Sequence, residues 1–273
     1  SGIFHLAAES HVDVSLADPE KFLQSNVVGT FNLLEATRIH FEKMTSSKRE
    51  SFKFLHISTD EVFGSLGSNG EFDENSNYNP RSPYSASKAA SDHFVNAWFH
   101  SFSIPTIITN CSNNYGPYQF PEKLIPKIIT NILSNKPIPI YAKGKNSREW
   151  IYAEDHCEAL YQIFKKGKVG ESYNVGSNLN LQNIKLAKLI LKIFKTKNYK
   201  IGKKVKIKFV KDRPGHDLRY SLNSNKIYKE IGWKSKTNLK KGLNLTIDWY
   251  IKNKKFLSSI SKKLYVKRLG LKI

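Results

Sequence analysis

The chain has 273 residues, 40% of them hydrophobic, and carries a formal net charge of +21. That is enough to bury a sizeable core in one large domain or two smaller ones. No apolar run approaches the roughly 20 residues that span a bilayer. The two cysteines, Cys111 and Cys157, stand in no metal-ligand spacing and argue against a disulfide framework, so no metal is expected and a reducing cytoplasm fits. The first residues, from Ser1 to Leu6, have neither the basic leader nor the apolar stretch of a signal peptide. The basic excess is mostly lysine and widely spread, with pairs at Lys203-Lys204, Lys240-Lys241, Lys254-Lys255 and Lys262-Lys263. Arginine is the residue most used to read base edges, so nucleic acid is not the expected partner. The same charge suits attraction of an anionic, diphosphate-bearing ligand.

In chain order, residues 2–8 form a short apolar run ending in small side chains, as in a buried parallel strand. Asp18-Pro19 then supplies an N-cap and a proline at the first helical position. Phe22, Val27, Phe31, Leu34 and Ile39 predict one long amphipathic helix over residues 19–44. Residues 52–58 read as a second buried strand, 64–82 as a polar loop, 84–102 as a helix and 105–110 as a third strand. This alternation predicts an α/β fold with a Rossmann-like doubly wound parallel sheet. After Tyr115-Gly116-Pro117 short strands (138–141, 149–152, 172–175, 205–210) mix with helices (154–165, 183–194, 223–231, 239–253), predicting a smaller α+β region that closes over a ligand. The expected division is residues 1–118 for the sheet domain and 119–273 for the ligand region, with some later segments returning to the sheet.

Four places carry chemistry. Tyr84-Ser85-Ala86-Ser87-Lys88 is a Y-x-x-x-K pattern that puts Tyr84 and Lys88 one helical turn apart. An ammonium near a phenol favours the phenolate, so Tyr84 is a candidate base for a hydroxyl proton. Thr59-Asp60-Glu61 follows a strand directly, where ligand sites of open α/β sheets lie. Two adjacent carboxyl groups there divide acid and base roles if their environments separate them. The run from Asn110 to Pro117 ends the third strand in amides and hydroxyls, which suit a carboxamide or a diphosphate. Arg148 and Arg213, the latter in Asp212-Arg213-Pro214-Gly215-His216, are candidates for a bidentate diphosphate clamp. His5 and His56 read as core or capping histidines.

Together these residues resemble the extended short-chain dehydrogenase/reductase superfamily, and within it the dTDP-glucose 4,6-dehydratases. The likeness runs from Ile3 to about Trp249 and rests on long strings: residues 5–12, 58–62, 82–88, 109–117, Phe120-Pro121-Glu122-Lys123-Leu124-Ile125-Pro126 and 212–216. Asp60-Glu61 is its most discriminating feature, since sister epimerases and decarboxylases share Y-x-x-x-K without that pair. The resemblance implies an NAD-dependent lyase that oxidises the sugar at C4, eliminates water across C5–C6 and returns hydride to C6. It implies Tyr84, Lys88, Thr59, Asp60 and Glu61 as catalytic. It places Leu6, Ala7, Ala8, Glu9, Ser10, Ser25, Tyr84, Lys88 and Asn114 at NAD. It places Ser10, Thr59, Asn113, Lys123, Leu124, Pro139, Ile140, Tyr141, Arg148, Asn183, Asp212, Arg213, Pro214, Gly215 and His216 at the dTDP-sugar. It also implies a homodimer through the helices at 19–44 and 84–102.

One departure is large. Family members open on a strand and a G-x-x-G-x-x-G turn that holds the pyrophosphate, followed by an acidic residue for the ribose. Neither is expected here; the chain reads as lacking roughly 75 N-terminal residues of β-α-β structure, and as binding NAD weakly or not at all. The readings that stay open beside the dehydratase are another nucleotide-sugar epimerase or decarboxylase, an inactive fragment, and a basic nucleic-acid-binding protein.

Overall fold

The structure, a computed structural model, describes residues 1–260. Lys262-Lys263 and the rest of the basic C-terminal stretch lie outside the described residues.

The first half alternates strand and helix: β1 (Gly2–His5), α1 (Val12–Ala17), α2 (Pro19–Phe22), α3 (Gly29–Glu42), α4 (Ser46–Ser51), β2 (Lys53–Thr59), α5 (Pro83–Phe102) and β3 (Thr106–Cys111). The second half is β4 (Asn113–Tyr115), α6 (Leu124–Leu133), β5 (Ile138–Tyr141), β6 (Ser147–Tyr152), α7 (Ala153–Lys166), β7 (Ser172–Val175), β8 (Asn180–Gln182), α8 (Asn183–Thr196), β9 (Ile207–Val210), α9 (Asn225–Ile231), α10 (Leu239–Lys252) and α11 (Lys254–Ser259).

The main sheet is parallel, as the apolar runs predict; its order is β1-β2-β3-β7, and β7 joins it from the second half. β2 is central, and its side chains are buried almost throughout. Leu34, Phe52, Phe54, Val95, Trp98 and Ile104 form the core between the sheet and helices α3 and α5. Leu55, Ile107, Ile163, Tyr173 and Trp233 fill the other face under α7 and α9. A separate core, built on Ile125, Ile128, Ile129, Ile132, Leu186, Ile190 and Leu243, holds the second region together. Two small ladders flank it: β4 and β8 on β6, and β9 on β5.

The helix expected over residues 19–44 is interrupted. Leu23–Val28 is a π-helical segment between α2 and α3. Its extra residue rotates the buried face, so Phe22, Asn26, Thr30, Leu34 and Thr37 point inward while Phe31 and Ile39 are exposed. Asn26 explains the turn: its side chain accepts from Glu9 N (2.8 Å) and donates to Glu9 O (3.0 Å) and Ser87 Oγ (2.8 Å). The sequence reading also passed over α6, although Ile125, Ile128, Ile129 and Ile132 stand at helical spacing. Pro126 sits in its first turn, where a missing N–H costs no helical bond.

Asp155, in the first turn of α7, pins the distant segment 235–237. It accepts from Ser235 Oγ (2.7 Å), Thr237 N (2.7 Å), Thr237 Oγ1 (2.9 Å) and Lys236 N (3.0 Å). Burial pushes its carboxyl up, but these four donors outweigh that and hold it below the usual carboxylate range. Asp155→Ala should cost about 1–3 kcal/mol at neutral pH, measured by chemical denaturation. A depressed acid stabilises above its unfolded pKa, so the difference should vanish as the pH falls through the folded value.

Candidate active site

The carboxyl end of β2 turns directly into a 3₁₀ segment, Asp60–Phe63. Thr59 caps it: its Oγ1 accepts from Glu61 N (3.3 Å) and lies 3.2 Å from Asp60 Oδ1. Asp60 is buried, and its Oδ2 has no partner among the described residues. Burial, then the charges of Glu61 and Glu149, push the Asp60 carboxyl well above the usual range against the pull of Arg148. Burial also raises Glu61, but Arg213, Arg148 and Lys123 all oppose the rise. The two carboxyl groups are therefore adjacent in sequence and unequal in surroundings.

Helix α5 brings the hydroxyl and the amine to the same place. Ser82 caps it in a reciprocal box with Ser85, and Pro83 opens it. Tyr84, in its first turn, is buried beside Thr59 and Glu61. Lys88 Nζ donates to Ile57 O (2.8 Å) and lies 3.5 Å from His56 Nε2. The expectation that Lys88 lowers the Tyr84 phenol is not what these surroundings do. Burial and the Glu61 and Cys111 groups push the phenol up, and the bond to Thr59 only partly opposes them.

Beside this cluster lies a cavity of about 460 Å³. Of the sequence-expected residues it is lined by Ser10, Glu61, Asn113, Asn114, Lys123, Leu124, Pro139, Ile140, Tyr141, Arg148, Asn183, Arg213 and His216. Asp212, Pro214 and Gly215 do not line it; Asp212 instead holds His216 Nδ1 at 2.6 Å. Leu6, Ala7, Ala8, Glu9 and Ser25 also lie off the cavity, the first three exposed at the end of β1. Asn26, not the exposed Ser25, is the residue of the π-helical segment that reaches inward.

The sequence reading missed His11, Val12, Asp13, Gln119, Glu122, Lys127, Trp150 and Val210, which complete the wall. Asp13 joins three distant segments: it accepts from Tyr141 OH and stands 3.5 Å from Arg213 Nη1. Arg148 stacks on the Tyr220 ring at 4.3 Å and gives its guanidinium N–H groups to carbonyls of Ser147, Asp217 and Leu218. Asn113 Oδ1, Asn183 Oδ1 and Arg213 Nε are buried at the cavity wall without partners among the described residues. Unsatisfied groups of this kind on a cavity wall are available to a polar ligand.

Gly64-Ser65-Leu66-Gly67-Ser68-Asn69-Gly70 does spell G-x-x-G-x-x-G, which the sequence reading overlooked. It is not a phosphate cradle. No helix follows it, and Arg219 takes the carbonyls of Gly67 and Gly70.

The sequence model of the GDP-mannose 4,6 dehydratase family matches residues 1–246. The dTDP-glucose 4,6-dehydratase of Xanthomonas campestris pv. campestris strain B100 is 46% identical over 272 residues, covering 98% of this chain and 78% of that enzyme. The chain belongs to the dTDP-glucose 4,6-dehydratase family. The Neisseria meningitidis serogroup B dehydratase is 48% identical over 98% of this chain and 78% of its own length. In solved structures the same likeness appears for the Streptomyces venezuelae dTDP-glucose 4,6-dehydratase crystallised with NAD. It has a TM-score of 0.85 and 39% identity over 94% of this chain and 74% of that one.

The buried Asp60 carboxyl gives a test of the site itself. An acid raised on folding costs stability above its unfolded pKa, near 4. Asp60→Asn should therefore raise the melting temperature at about pH 8, and the gain should shrink to nothing below about pH 4, read by thermal unfolding across that range.

Proposed function

We propose that this chain is a dTDP-glucose 4,6-dehydratase, converting dTDP-glucose to dTDP-4-keto-6-deoxyglucose and water with NAD as its cofactor. The observation that carries the proposal is the adjacent pair of buried Asp60 and half-buried Glu61, seated at the same strand end as Tyr84 and opening on the cavity through Glu61. An epimerase needs no such pair. Water loss needs an acid and a base together.

The cavity suits the substrate. Lys123, Arg148 and Arg213 give its wall positive charge for a diphosphate, and Pro139, Ile140 and Trp150 give it apolar surface for a base. Asn113, Asn183, Leu124, Tyr141, His216 and Ser10 complete the proposed sugar-nucleotide contacts, with Thr59 reaching the sugar from the strand end. Asp212, Pro214 and Gly215 support that wall from behind.

The residues present fit the nicotinamide half of NAD. Small Ala7 and Ala8 at the open end of β1 allow close approach, while Lys88 and Asn114 offer polar contacts beneath. Leu6, Glu9, Ser10 and Ser25 would complete that side. Bound NAD supplies a hydride store that makes the overall reaction redox-neutral. Burial and Glu61 hold the Tyr84 phenol up in the free chain, so it would have to ionise in the loaded site before it takes the proton of the sugar 4-hydroxyl; the ketone at C4 then acidifies the hydrogen at C5. Glu61 removes that hydrogen as a proton. Asp60, held in its acid form, protonates the departing C6 hydroxyl.

Residues 1–118 would carry the cofactor and 119–273 most of the sugar nucleotide. The exposed Phe31, Ile39 and Phe102 on α3 and α5 support a homodimer through those helices. Both cysteines are free, which supports a cytoplasmic location.

A version extended at its N-terminus by the strand and glycine-rich turn of the family, given NAD and dTDP-glucose, should yield a 4-keto-6-deoxy product lighter by one water in mass spectrometry. Glu61→Gln should lower turnover about 10²–10⁴-fold while leaving nucleotide binding in place. A C4-epimer as product, or unchanged turnover in Glu61→Gln, would overturn the assignment.

A further inference from the structure

Lys88 belongs to a second constellation behind the site. Tyr84, Lys88 and Asp92 recur every four residues on one face of α5, and all three are buried. One oxygen of Asp92, Oδ2, accepts from Ser58 Oγ (2.6 Å) and Tyr78 OH (2.9 Å). The other, Oδ1, stands 3.0 Å from His56 Nε2, which is itself 3.5 Å from Lys88 Nζ. Strand β2, the loop before α5 and the helix thus converge on one carboxylate.

We propose that Asp92 is a positioning residue for the reaction, the fixed counter-charge that keeps the Lys88 ammonium protonated inside the protein. The proposal rests on Lys88 belonging to the dehydratase centre. A buried ammonium needs an opposite charge or it gives up its proton. The titratable groups around Lys88 and Asp92 are His5 on β1, His56 on β2, Tyr78 in the loop, Cys111 on β3 and Tyr84 on α5. Burial lowers His5 to about 3 and His56 to about 4, so both are neutral at working pH. Burial raises Cys111 to about 12 and pushes the Tyr78 and Tyr84 phenols further up, so none of these is an anion. That leaves the Asp92 carboxylate. Burial pushes Lys88 down, and Asp92 is the first group to oppose it.

His56 fits the same role. Its Nε2 stands 3.0 Å from Asp92 Oδ1, and its Nδ1 is buried with no partner among the described residues. The ring serves as a neutral spacer that fixes Asp92 relative to Lys88. In Asp92→Asn the amide oxygen still accepts from Ser58 and Tyr78. The amide NH₂ then faces His56 Nε2, which accepts from it in the tautomer protonated at Nδ1. The charge is removed with little loss of shape.

The test is a lysine titration on the full chain, using selectively labelled lysine and NMR, with the Lys88 signal assigned by its loss in Lys88→Met. In the wild type Lys88 should remain an ammonium through about pH 8; a neutral amine at pH 7.5 overturns the proposal whether or not any variant folds. In Asp92→Asn the midpoint should fall by roughly 1–3 pH units, and an unchanged midpoint in a folded variant also overturns it. The alkaline limb of kcat/KM should move down in parallel. Absence of turnover in the wild type would count against the dehydratase reading alone, because the titration is read without substrate.

Discussion

Everything in this molecule depends on holding two adjacent carboxyl groups, Asp60 buried and Glu61 half-buried, at the end of one strand. Asp60 and Glu61 leave β2 in a tight 3₁₀ turn, and Thr59 holds that turn by accepting the Glu61 N–H. Burial raises both acids, and neither is neutralised by a direct ion pair among the described residues. Such a pair works against the fold, and the surrounding structure is arranged to carry that cost. The difference between the two is the useful part. Asp60 lies deeper beside Glu149, while Glu61 faces the cations of the cavity wall.

The rest of the chain serves that turn. β2 lies between β1 and β3, so its carboxyl end is fixed from both sides. Helix α5 enters at its capped N-terminus with Tyr84 and anchors Lys88 to the β2 backbone at Ile57. The second region has its own core, and from it Lys123, Arg148, Asn183, Arg213 and His216 reach the cavity. Asp13 ties this wall back to the first region through Tyr141 and Arg213.

How much of this was legible in the sequence follows from range. β2, β3, α5 and the parallel character of the sheet came from local runs and spacing. So did the placing of Thr59-Asp60-Glu61 at a strand end, since β2 is a near-continuous apolar segment. The π-helical segment was not legible, because its cause is the contact of Asn26 with Glu9 and Ser87, 17 and 61 residues away. Asp13, Gln119 and Trp150 were missed as cavity residues for the same reason; no local pattern says that residue 13 meets residues 141 and 213. Helical spacing shows Lys88 near Tyr84, but not the burial and the Glu61 carboxyl that push its phenol up, nor the carbonyl of Ile57 that takes the ammonium. Helix α6 was legible from its isoleucine spacing and was overlooked in favour of the longer string that contains it.

The most direct test of the central claim follows the hydrogen at C5. The account has Glu61 remove that hydrogen as a proton and Asp60 assist departure of the C6 hydroxyl, after which C5 is reprotonated. Turnover of dTDP-glucose in D₂O, with the product analysed by NMR, should give a 4-keto-6-deoxy sugar carrying deuterium at C5. A 6-deoxy product that keeps its original hydrogen at C5 would contradict the account.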